Sequence, residues 1–366
     1  MRVLFLLPVA GQPRYRKRIA AFLENGVDAE VAYFERDYVP AEEFGCSAKA
    51  LGELSHGNYL RRIPALLSAL TQVIPLCRKV DLLYCFGLDM AILSLMSALR
   101  KPFVYEVGDI TKLQLSKGMS GKLVRFAEKI VCRTACSIVV TSNGFIRNYY
   151  DPAGLRADRF HVIENKITEE FVPRTSTSEQ RDYLVIGYFG LIRCSRSLKI
   201  LKRISDESKG KVRVYVRGIS FGVDLQQYCG EYFEYGGAYT APDDFGSMYG
   251  KVDIVWACNS SDRGDERNWL WARTNRFFES CYFQKPLISL KGGEEGAEVE
   301  SKDIGITISL LDSDVVSKLL ESFEALPRWR FNLGQLPVSR YRYTSEHVDL
   351  LSFIYSKNAR IPRVDP

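Results

Sequence analysis

This sequence has few histidines, no glycine-rich nucleotide motif and no long apolar run. Its 366 residues include three histidines, His56, His161 and His347, and none of them stands in a pattern typical of a catalytic site. Neither G-x-G-x-x-G nor G-x-x-x-x-G-K-[ST] occurs, which disfavours a dehydrogenase and a P-loop enzyme. No stretch reaches the roughly 20 apolar residues that span a bilayer, so we expect no transmembrane helix.

The cysteines and charges exclude further classes of protein. Nine cysteines, an odd number scattered along a long chain, fit a reducing cytoplasm better than a disulfide framework. The net charge of +6 comes from 50 basic and 44 acidic residues, which are interspersed. Because a nucleic-acid-binding protein needs a concentrated basic surface, we expect no nucleic-acid partner.

Apolar runs that alternate with helical patterns fill the chain. The start, "MRVLFLLPVAGQ", is interpreted as a first strand rather than a signal peptide, because no small-residue cleavage site follows its short apolar run. Five more strands precede a polar linker at Pro173 to Arg181, and six follow it. The tail predicts an amphipathic helix with Val348, Leu351, Ile354 and Tyr355 on one face.

This alternation predicts an α/β fold with two doubly wound, Rossmann-like domains. Ligands of open parallel sheets bind beyond the carboxyl ends of the strands, so two such sheets that face each other would form a ligand cleft. The predicted segments are an N-terminal domain at 1–172, a C-terminal domain at 182–335, and a helix and tail at 336–366.

The segment "GYFGLIRCSRSLKIL" (Gly187 to Leu201) predicts a strand, a basic loop and a helix. Gly190 would let the backbone approach a ligand, and the amides at the helix N-terminus favour an anion. Arg193 and Arg196 in the loop would clamp a phosphate, with Lys199 one turn on. A solvated basic helix start is the alternative.

The segment "RTNRFFESCYFQKPLIS" (Arg273 to Ser289) predicts a capped apolar helix that leads into a buried strand. Asn275 and Arg276 in its first turn would meet phosphate oxygens. Glu279, one turn further in, would accept hydrogen bonds from the vicinal hydroxyls of a ribose. A local pair between Glu279 and Arg276 is the alternative.

Together these two segments resemble the C-terminal half of glycosyltransferase family 4, whose members have the GT-B fold. In that family a strand–glycine–basic-loop element binds the donor diphosphate, and a Glu-x7-Glu motif binds the sugar and the ribose. Glu279 matches the second Glu, and Arg196 takes the place of the usual phosphate-binding lysine. Arg193 lies two residues from the usual arginine. The N-terminal half and the closing helix, which in the family returns across both domains, resemble the family more loosely.

One position departs from the family pattern. Trp271 stands where the first Glu of the motif belongs, although Asn275 to Glu279 matches the N-[KR]-x-x-E variant of some members. Trp269 and Trp271 would stack on a sugar or base, or else lie at a buried helix start. The candidates for the lost carboxylate are Asp262, Asp265 and Glu266.

In this resemblance the N-terminal domain receives the acceptor. Glu106 and Asp109 end a predicted strand, where a carboxylate would act as base toward an acceptor hydroxyl or orient it. The alternative for Asp109 is a helix N-cap. Arg14 and Arg16 are the candidate acceptor-binding residues.

Two basic and apolar segments of this domain suit contact with anionic lipid, or else a core helix flanked by solvated charges. They are Arg14 to Arg18 and Arg61 to Lys79.

The resemblance implies a glycosyltransferase that moves a hexose-type sugar from a nucleoside-diphosphate sugar to a saccharide acceptor, with retention of configuration. It implies polysaccharide biosynthesis of the capsule or lipopolysaccharide kind, with a lipid-linked oligosaccharide as one acceptor. We expect no cofactor and no essential metal, and a cytoplasmic location that extends to the inner face of the membrane. The alternative is a non-catalytic, two-lobed protein that binds nucleotides or sugars.

Overall fold

The computed structural model describes residues 1–35, 43–54, 59–97, 101–155, 157–168, 181–260 and 267–357. The chain forms two compact units. The first comprises Met1–Glu164 and the chain from Thr344 onward, and the second comprises Asn165–Tyr343. All of the predicted linker except Arg181 lies outside the described residues, as does His56.

The first unit is built on a seven-stranded parallel sheet with the strand order β3-β2-β1-β4-β5-β6-β7. Its central strands are continuous apolar runs because helices cover both faces of a parallel sheet. The strands are β1 (Arg2–Leu7), β2 (Asp28–Glu35), β3 (Ser47–Glu53), β4 (Leu82–Phe86), β5 (Phe103–Val107), β6 (Ser137–Val140) and β7 (Phe160–Val162). The helices are α1 (Pro13–Glu24), α2 (Tyr59–Cys77), α3 (Leu88–Ser97), α4 (Lys112–Leu115), α5 (Met119–Thr134) and α6 (Asn143–Phe145), which continues into a π-helical turn, Ile146–Tyr150.

The second unit is built on a six-stranded parallel sheet with the order β10-β9-β8-β11-β12-β13. The strands are β8 (Leu184–Ile192), β9 (Val212–Ser220), β10 (Phe233–Tyr235), β11 (Ile254–Trp256), β12 (Leu287–Leu290) and β13 (Gly305–Ile308). The helices are α7 (Ser195–Glu207), α8 (Phe245–Gly250), α9 (Arg267–Trp271), α10 (Asn275–Phe283), α11 (Glu294–Lys302), α12 (Val315–Ser322) and α13 (Leu326–Gly334).

Strand β8 shows why helices cover both faces of this sheet. Its side chains alternate between two apolar cores, with Ile186 and Tyr188 in one and Val185 and Phe189 in the other. Since successive side chains of a strand point to opposite faces, each core lies on its own side of the sheet. The predicted pair of doubly wound α/β domains is confirmed.

The strand orders place a switch point in each sheet. The chain runs from β8 through β9 to β10 and then crosses to β11, on the other side of β8. In the first sheet the same reversal lies between β1 and β4. Ligands of open parallel sheets bind at such points, beyond the carboxyl ends of the strands. The loops after β8 and β11 are therefore the first place to look for a site in the second unit.

The last described helix, α14 (Glu346–Lys357), belongs to the first unit. Leu351 and Ile354 are buried as predicted, but Val348 is exposed, and His347 and Leu350 are buried instead. The buried face is therefore rotated from the predicted one. Within the described residues, no helix combines the length and apolar character needed to cross a bilayer.

Candidate functional site

The loops after β8 and β11 are joined at the carboxyl edge of the second sheet. The Ser197 hydroxyl donates a hydrogen bond to the Cys258 carbonyl oxygen at 3.2 Å. The Cys194 sulfur and the Ser260 hydroxyl form a hydrogen bond, also at 3.2 Å. All four residues are buried, so the two loops are held together at the switch point of the sheet.

Gly190 lies near the end of β8 with a φ of +101°. A side chain rarely adopts this backbone conformation, which is a reason for glycine here. A Cβ at this position would lie 3.9 Å from the Tyr239 hydroxyl, so space is not the constraint. Glycine is needed here for the backbone conformation rather than to avoid a steric clash.

The predicted phosphate-binding residues follow directly. Arg193 is exposed, and its guanidinium lies over the Trp269 ring at 4.3 Å from the centroid. Arg196 is half-buried in the first turn of α7, and Lys199 is exposed one turn later. At the N-terminus of α7, the Ser197 amide donates to the Cys194 sulfur at 3.4 Å. Because that amide already has a partner, an anion at this helix end would depend more on the two arginines.

Helix α10 begins with one exposed residue, Asn275, and one buried residue, Arg276. The Arg276 guanidinium donates to the Trp256 carbonyl oxygen at 3.2 Å and lies 5.2 Å from the Tyr188 ring centroid. The Asn259 amide, in the orientation that satisfies its neighbours, accepts from Arg276 at 2.5 Å and donates to the Tyr188 hydroxyl at 3.0 Å. Arg276 thus connects α10 to the middle of β8 and the end of β11, and its contact with a phosphate stays a prediction.

Glu279 is half-buried one turn into α10. Its carboxylate accepts a hydrogen bond from the Tyr249 hydroxyl of α8 at 2.6 Å. Burial raises the pKa of Tyr249, and the negative charge of Glu279 raises it further. The same two causes raise the pKa of Tyr239, whose hydroxyl lies beside Gly190. The Gly190 and Glu279 segments therefore share one tyrosine-lined neighbourhood, and a ribose contact at Glu279 stays a prediction.

A second carboxylate, Glu295 at the start of α11, is part of this edge. It is buried and accepts hydrogen bonds at 2.8 Å from the amide and the hydroxyl of Thr274 and from the Ser289 hydroxyl. Burial raises its pKa, and these hydrogen bonds oppose that shift. Thr274 stands at the N-cap position of α10, but its side chain bonds to Glu295 instead of capping the helix.

A small pocket opens beside Glu295, with Asn259, Trp269, Thr274 and Gly293 among its lining residues. Trp271 is half-buried on the short helix α9. The candidates for the missing first carboxylate, Asp262, Asp265 and Glu266, lie outside the described residues. Sequence reasoning missed Glu295, for which the only sequence signal is the acidic helix start "GGEEG".

In the first unit, Glu106 at the end of β5 is completely buried. Its carboxylate accepts from Arg18 at 2.9 Å and from the Tyr84 hydroxyl, and it pairs with Arg14 at 3.3 Å. Burial and the charge of Glu106 both raise the pKa of Tyr84. This enclosure does not suit the predicted contact of Glu106 with an acceptor, since three side chains already surround its oxygens.

The helix α14 completes this network. Arg18 is fully buried, and its guanidinium donates to the His347 ring nitrogen Nε2 at 2.5 Å. Burial, together with the positive charge of Arg18, lowers the pKa of His347 to about 3. His347 is therefore neutral near pH 7 and keeps the lone pair that Arg18 needs.

Arg14 lies at the carboxyl edge of the first sheet, beside Gly108. A Cβ on Gly108 would fall 1.5 Å from the Arg14 guanidinium, so the glycine makes room for it. Asp109 is exposed next to this position, and Thr111 rather than Asp109 caps α4, so the cap prediction for Asp109 was wrong. Arg16 is exposed on α1, and its acceptor role, like that of Arg14, stays a prediction.

Comparison with known proteins adds one curated relative. No family model matches the sequence. The chain is 27% identical over 341 residues to the succinoglycan biosynthesis protein ExoL of Rhizobium meliloti (strain 1021). That match covers 87% of this chain and 84% of ExoL.

Solved structures show the fold. The Anabaena protein HepE in complex with UDP-glucose aligns with a TM-score of 0.72 at 17% identity, over 97% of this chain and 100% of HepE. Sucrose-phosphate synthase from Thermosynechococcus elongatus aligns with a TM-score of 0.74 at 12% identity, over 99% of this chain and 100% of that protein. The chain has the two-domain, Rossmann-like GT-B fold that its sequence predicts.

Proposed function

We propose that this chain is a glycosyltransferase that moves a sugar from a nucleoside-diphosphate sugar to a saccharide acceptor in polysaccharide biosynthesis. One observation carries the proposal. The basic loop after β8 bonds to the loop after β11 through Cys194 and Ser260, and the helix with Glu279 bonds to that same loop through Arg276 and Asn259. Both contacts lie at the switch point of the second sheet. Such sheets bind ligands at this edge, so the proposal assigns its cations to a diphosphate and its carboxylate to a ribose.

Two relatives support the same activity. The curated relative takes part in succinoglycan biosynthesis, and HepE has been crystallised with UDP-glucose. Both matches span most of this chain, so they include the segments of the second unit described above. We therefore favour a transferase over a protein that binds nucleotides or sugars without turnover.

The residues of the second unit have separate roles in this proposal. Arg193 and Arg196 neutralise the charge that develops on the leaving diphosphate, which is the largest electrostatic change in the reaction. Lys199, Asn275 and the backbone at Gly190 contact the donor. Glu279 accepts from the ribose hydroxyls, and Tyr249 fixes the orientation of its carboxylate.

In the first unit we assign Asp109 to the acceptor hydroxyl, because it is exposed at the carboxyl edge of the sheet. Glu106 acts as a positioning residue that holds Arg14, and Arg14 and Arg16 contact the acceptor. The finer features of the proposal are retention of configuration, transfer of a hexose without an essential metal, and a lipid-linked oligosaccharide of the capsule or lipopolysaccharide kind as acceptor. The reaction would then take place at the inner face of the cytoplasmic membrane.

Calorimetry and thermal shift with UDP, GDP, ADP, CMP and NAD test the donor site. We expect one nucleoside diphosphate to bind the wild type, and Glu279→Gln and Arg193→Ala each to weaken that binding. Glu324→Gln, at an exposed glutamate, is the control for Glu279→Gln. Arg203→Ala, at an exposed arginine of α7, is the control for Arg193→Ala. Both controls should bind as the wild type does.

Two outcomes would contradict the proposal. If no nucleotide binds, or if Glu279→Gln binds as tightly as its control, the donor site is wrong. If the nucleotide binds but the matching nucleotide sugar is neither hydrolysed nor transferred to any saccharide offered, the chain is a binding protein. A labelled-sugar transfer assay with the same variants separates these results.

A further inference from the structure

Helix α5 exposes a stripe of large apolar side chains. Met119, Leu123, Phe126 and Ile130 are 78%, 69%, 63% and 45% exposed. Their spacing of four, three and four residues places them on one face of the helix. Scattered apolar residues on a surface need no explanation, but a continuous helical stripe marks an interaction surface.

Buried hydrogen bonds on the opposite side of α5 fix the orientation of this stripe. Glu128 lies on the opposite face and is buried. It accepts hydrogen bonds from three tyrosine hydroxyls and from Gln114, at 2.6 to 3.1 Å. The tyrosines are Tyr105, Tyr149 and Tyr150. Four donors on one carboxylate fix the rotation of the helix about its axis. The apolar stripe therefore cannot turn inward unless these hydrogen bonds break.

Neighbouring helices also expose apolar side chains. Helix α3 packs against both α2 and α5. The crossovers through α3 and α5 advance along the sheet in the same direction, so right-handed connections put both helices on one face of it. Ile63 and Leu67 on α2 and Met96 on α3 are each about half exposed. Apolar side chains thus lie outside three adjacent helices.

The exposed charges beside the stripe have one sign. Between residues 112 and 134 the chain has six basic residues and one acidic residue, and that acid is the buried Glu128. Lys117, Lys122, Lys129 and Arg133 are all exposed. By contrast, the segment from Arg14 to Arg18, which the sequence offered for lipid contact, has Arg18 fully buried and Arg14 paired with Glu106.

We propose that α5 binds the surface of an anionic lipid bilayer through this face. The α5 face is defined by its apolar stripe and the four exposed cations just named. A helix with an apolar stripe and a basic border lies in the bilayer interface, with its apolar side chains at the acyl boundary and its lysines reaching the headgroups. Anionic headgroups attract each nearby lysine or arginine. The inference does not rest on the proposed transferase activity.

A second copy of the chain fits this face less well. In an isologous dimer the same patch meets itself, which would bring the lysines of one copy opposite those of the other. Like charges placed together oppose such an association. An anionic bilayer supplies both the apolar and the negatively charged contact that the face lacks.

Vesicle flotation tests the proposal on the full chain. The probes are vesicles of phosphatidylcholine alone and of phosphatidylcholine with about a third phosphatidylglycerol. We expect binding to the anionic vesicles that weakens with salt, since the attraction is screened. Phe126→Glu should abolish it, whereas Phe331→Glu, at a phenylalanine 67% exposed in the second unit, should not.

A charge variant gives a second, independent readout. Lys122→Gln with Lys129→Gln should lower the partition coefficient about 25-fold at low salt, from about fivefold for each lysine. Lys211→Gln with Lys302→Gln, at exposed lysines of the second unit, is the matched control. Amide protection in β4, β5 and β6 of the first unit should be unchanged in the Phe126 and lysine variants of α5, which shows that this unit is folded.

The proposal is overturned if the wild type does not float with anionic vesicles, or if Phe126→Glu floats as well as Phe331→Glu. It is also overturned if the wild type sediments as an oligomer that Phe126→Glu dissociates, while neither binds vesicles. In that case the face belongs to a second copy. A failure of the transferase assay with intact vesicle binding would leave this inference standing.

Discussion

The strongest stability prediction concerns Glu106, the buried carboxylate of the first unit. Glu106→Gln keeps the size of the side chain and removes its charge. Arg18 would then remain fully buried, with a neutral histidine and an amide as its partners in place of a carboxylate. Arg14 would lose the same counter-charge.

Removing one partner of a buried ion pair costs about 3 to 5 kcal/mol, because the other charge is left uncompensated. A domain of this size has an unfolding free energy of about 5 to 15 kcal/mol, so the first unit would lose a large part of its stability. The corresponding drop in melting temperature is about 6 to 20 °C. Arg14, Arg18 and Glu106 all belong to the first unit, so we expect the loss of stability in that unit.

Native-state amide exchange separates the two units within one molecule. Protection in β1, β4 and β5 should fall by the predicted free energy, while protection in β8 and β11 serves as an internal reference. Glu53→Gln on the exposed strand β3 is the matched control, and should change stability by less than about 0.5 kcal/mol. A double-mutant cycle with Arg18→Met measures the coupling directly.

The reasoning is refuted if Glu106→Gln and Glu53→Gln lower protection equally. It is also refuted if the cycle gives no coupling, because the two charges would then contribute independently. A loss of transferase activity without any loss of protection would instead support direct contact between Glu106 and the acceptor.

Three further predictions concern single residues. Tyr249→Phe removes the donor to Glu279 and should weaken nucleotide binding at least about tenfold by calorimetry, whereas Tyr232→Phe should not. Gly190→Ala forces a side chain into a φ of +101° and should lower the free energy of unfolding of the second unit by about 1 to 3 kcal/mol. The control Gly230→Ala introduces no such strain and should not lower it in this way. The His347 pKa of about 3 lies below the value of about 6.5 in an unfolded chain, so the unfolded state binds more protons between these values. This contribution to stability is therefore complete above about pH 6.5 and is lost as the pH falls, by up to about 1.4 kcal/mol per pH unit. His347→Gln should remove this contribution to the pH dependence of the free energy of unfolding. We would measure that free energy between pH 7 and 4.5 for both proteins. Equal pH dependence in the wild type and the variant would contradict the prediction.

The sequence predicted most strands because they are buried on both faces, which makes them continuous apolar runs. It missed β3, whose residues are exposed except for Leu51, because a polar edge strand carries no such run. It also misplaced the buried face of α14. His347 is polar, but Arg18 satisfies it inside the unit, and a hydrophobic pattern cannot register a contact that distant in sequence.

The sequence predicted the separate segments of the candidate site but not the side-chain contacts between them. The loop at Arg193 and the helix at Glu279 are local patterns, and the topology brings their segments to one edge. Tyr249 and Glu295 were not predicted, because each meets its partner only through the folded arrangement of α8, α10 and α11. The enclosure of Glu106 likewise depends on three separate segments of the chain.

The return of α14 to the first unit has a consequence for biosynthesis. The ribosome completes Met1–Glu164 before it begins the second unit, yet His347 and the apolar face of α14 are made only after that unit. At about 5 to 20 residues per second, the gap is on the order of 10 to 40 s. During that time Arg18 lacks its contact with His347, and the nascent unit exposes the surface that α14 will bury. A chaperone that binds such surfaces would bind this chain early and release it once α14 has been made.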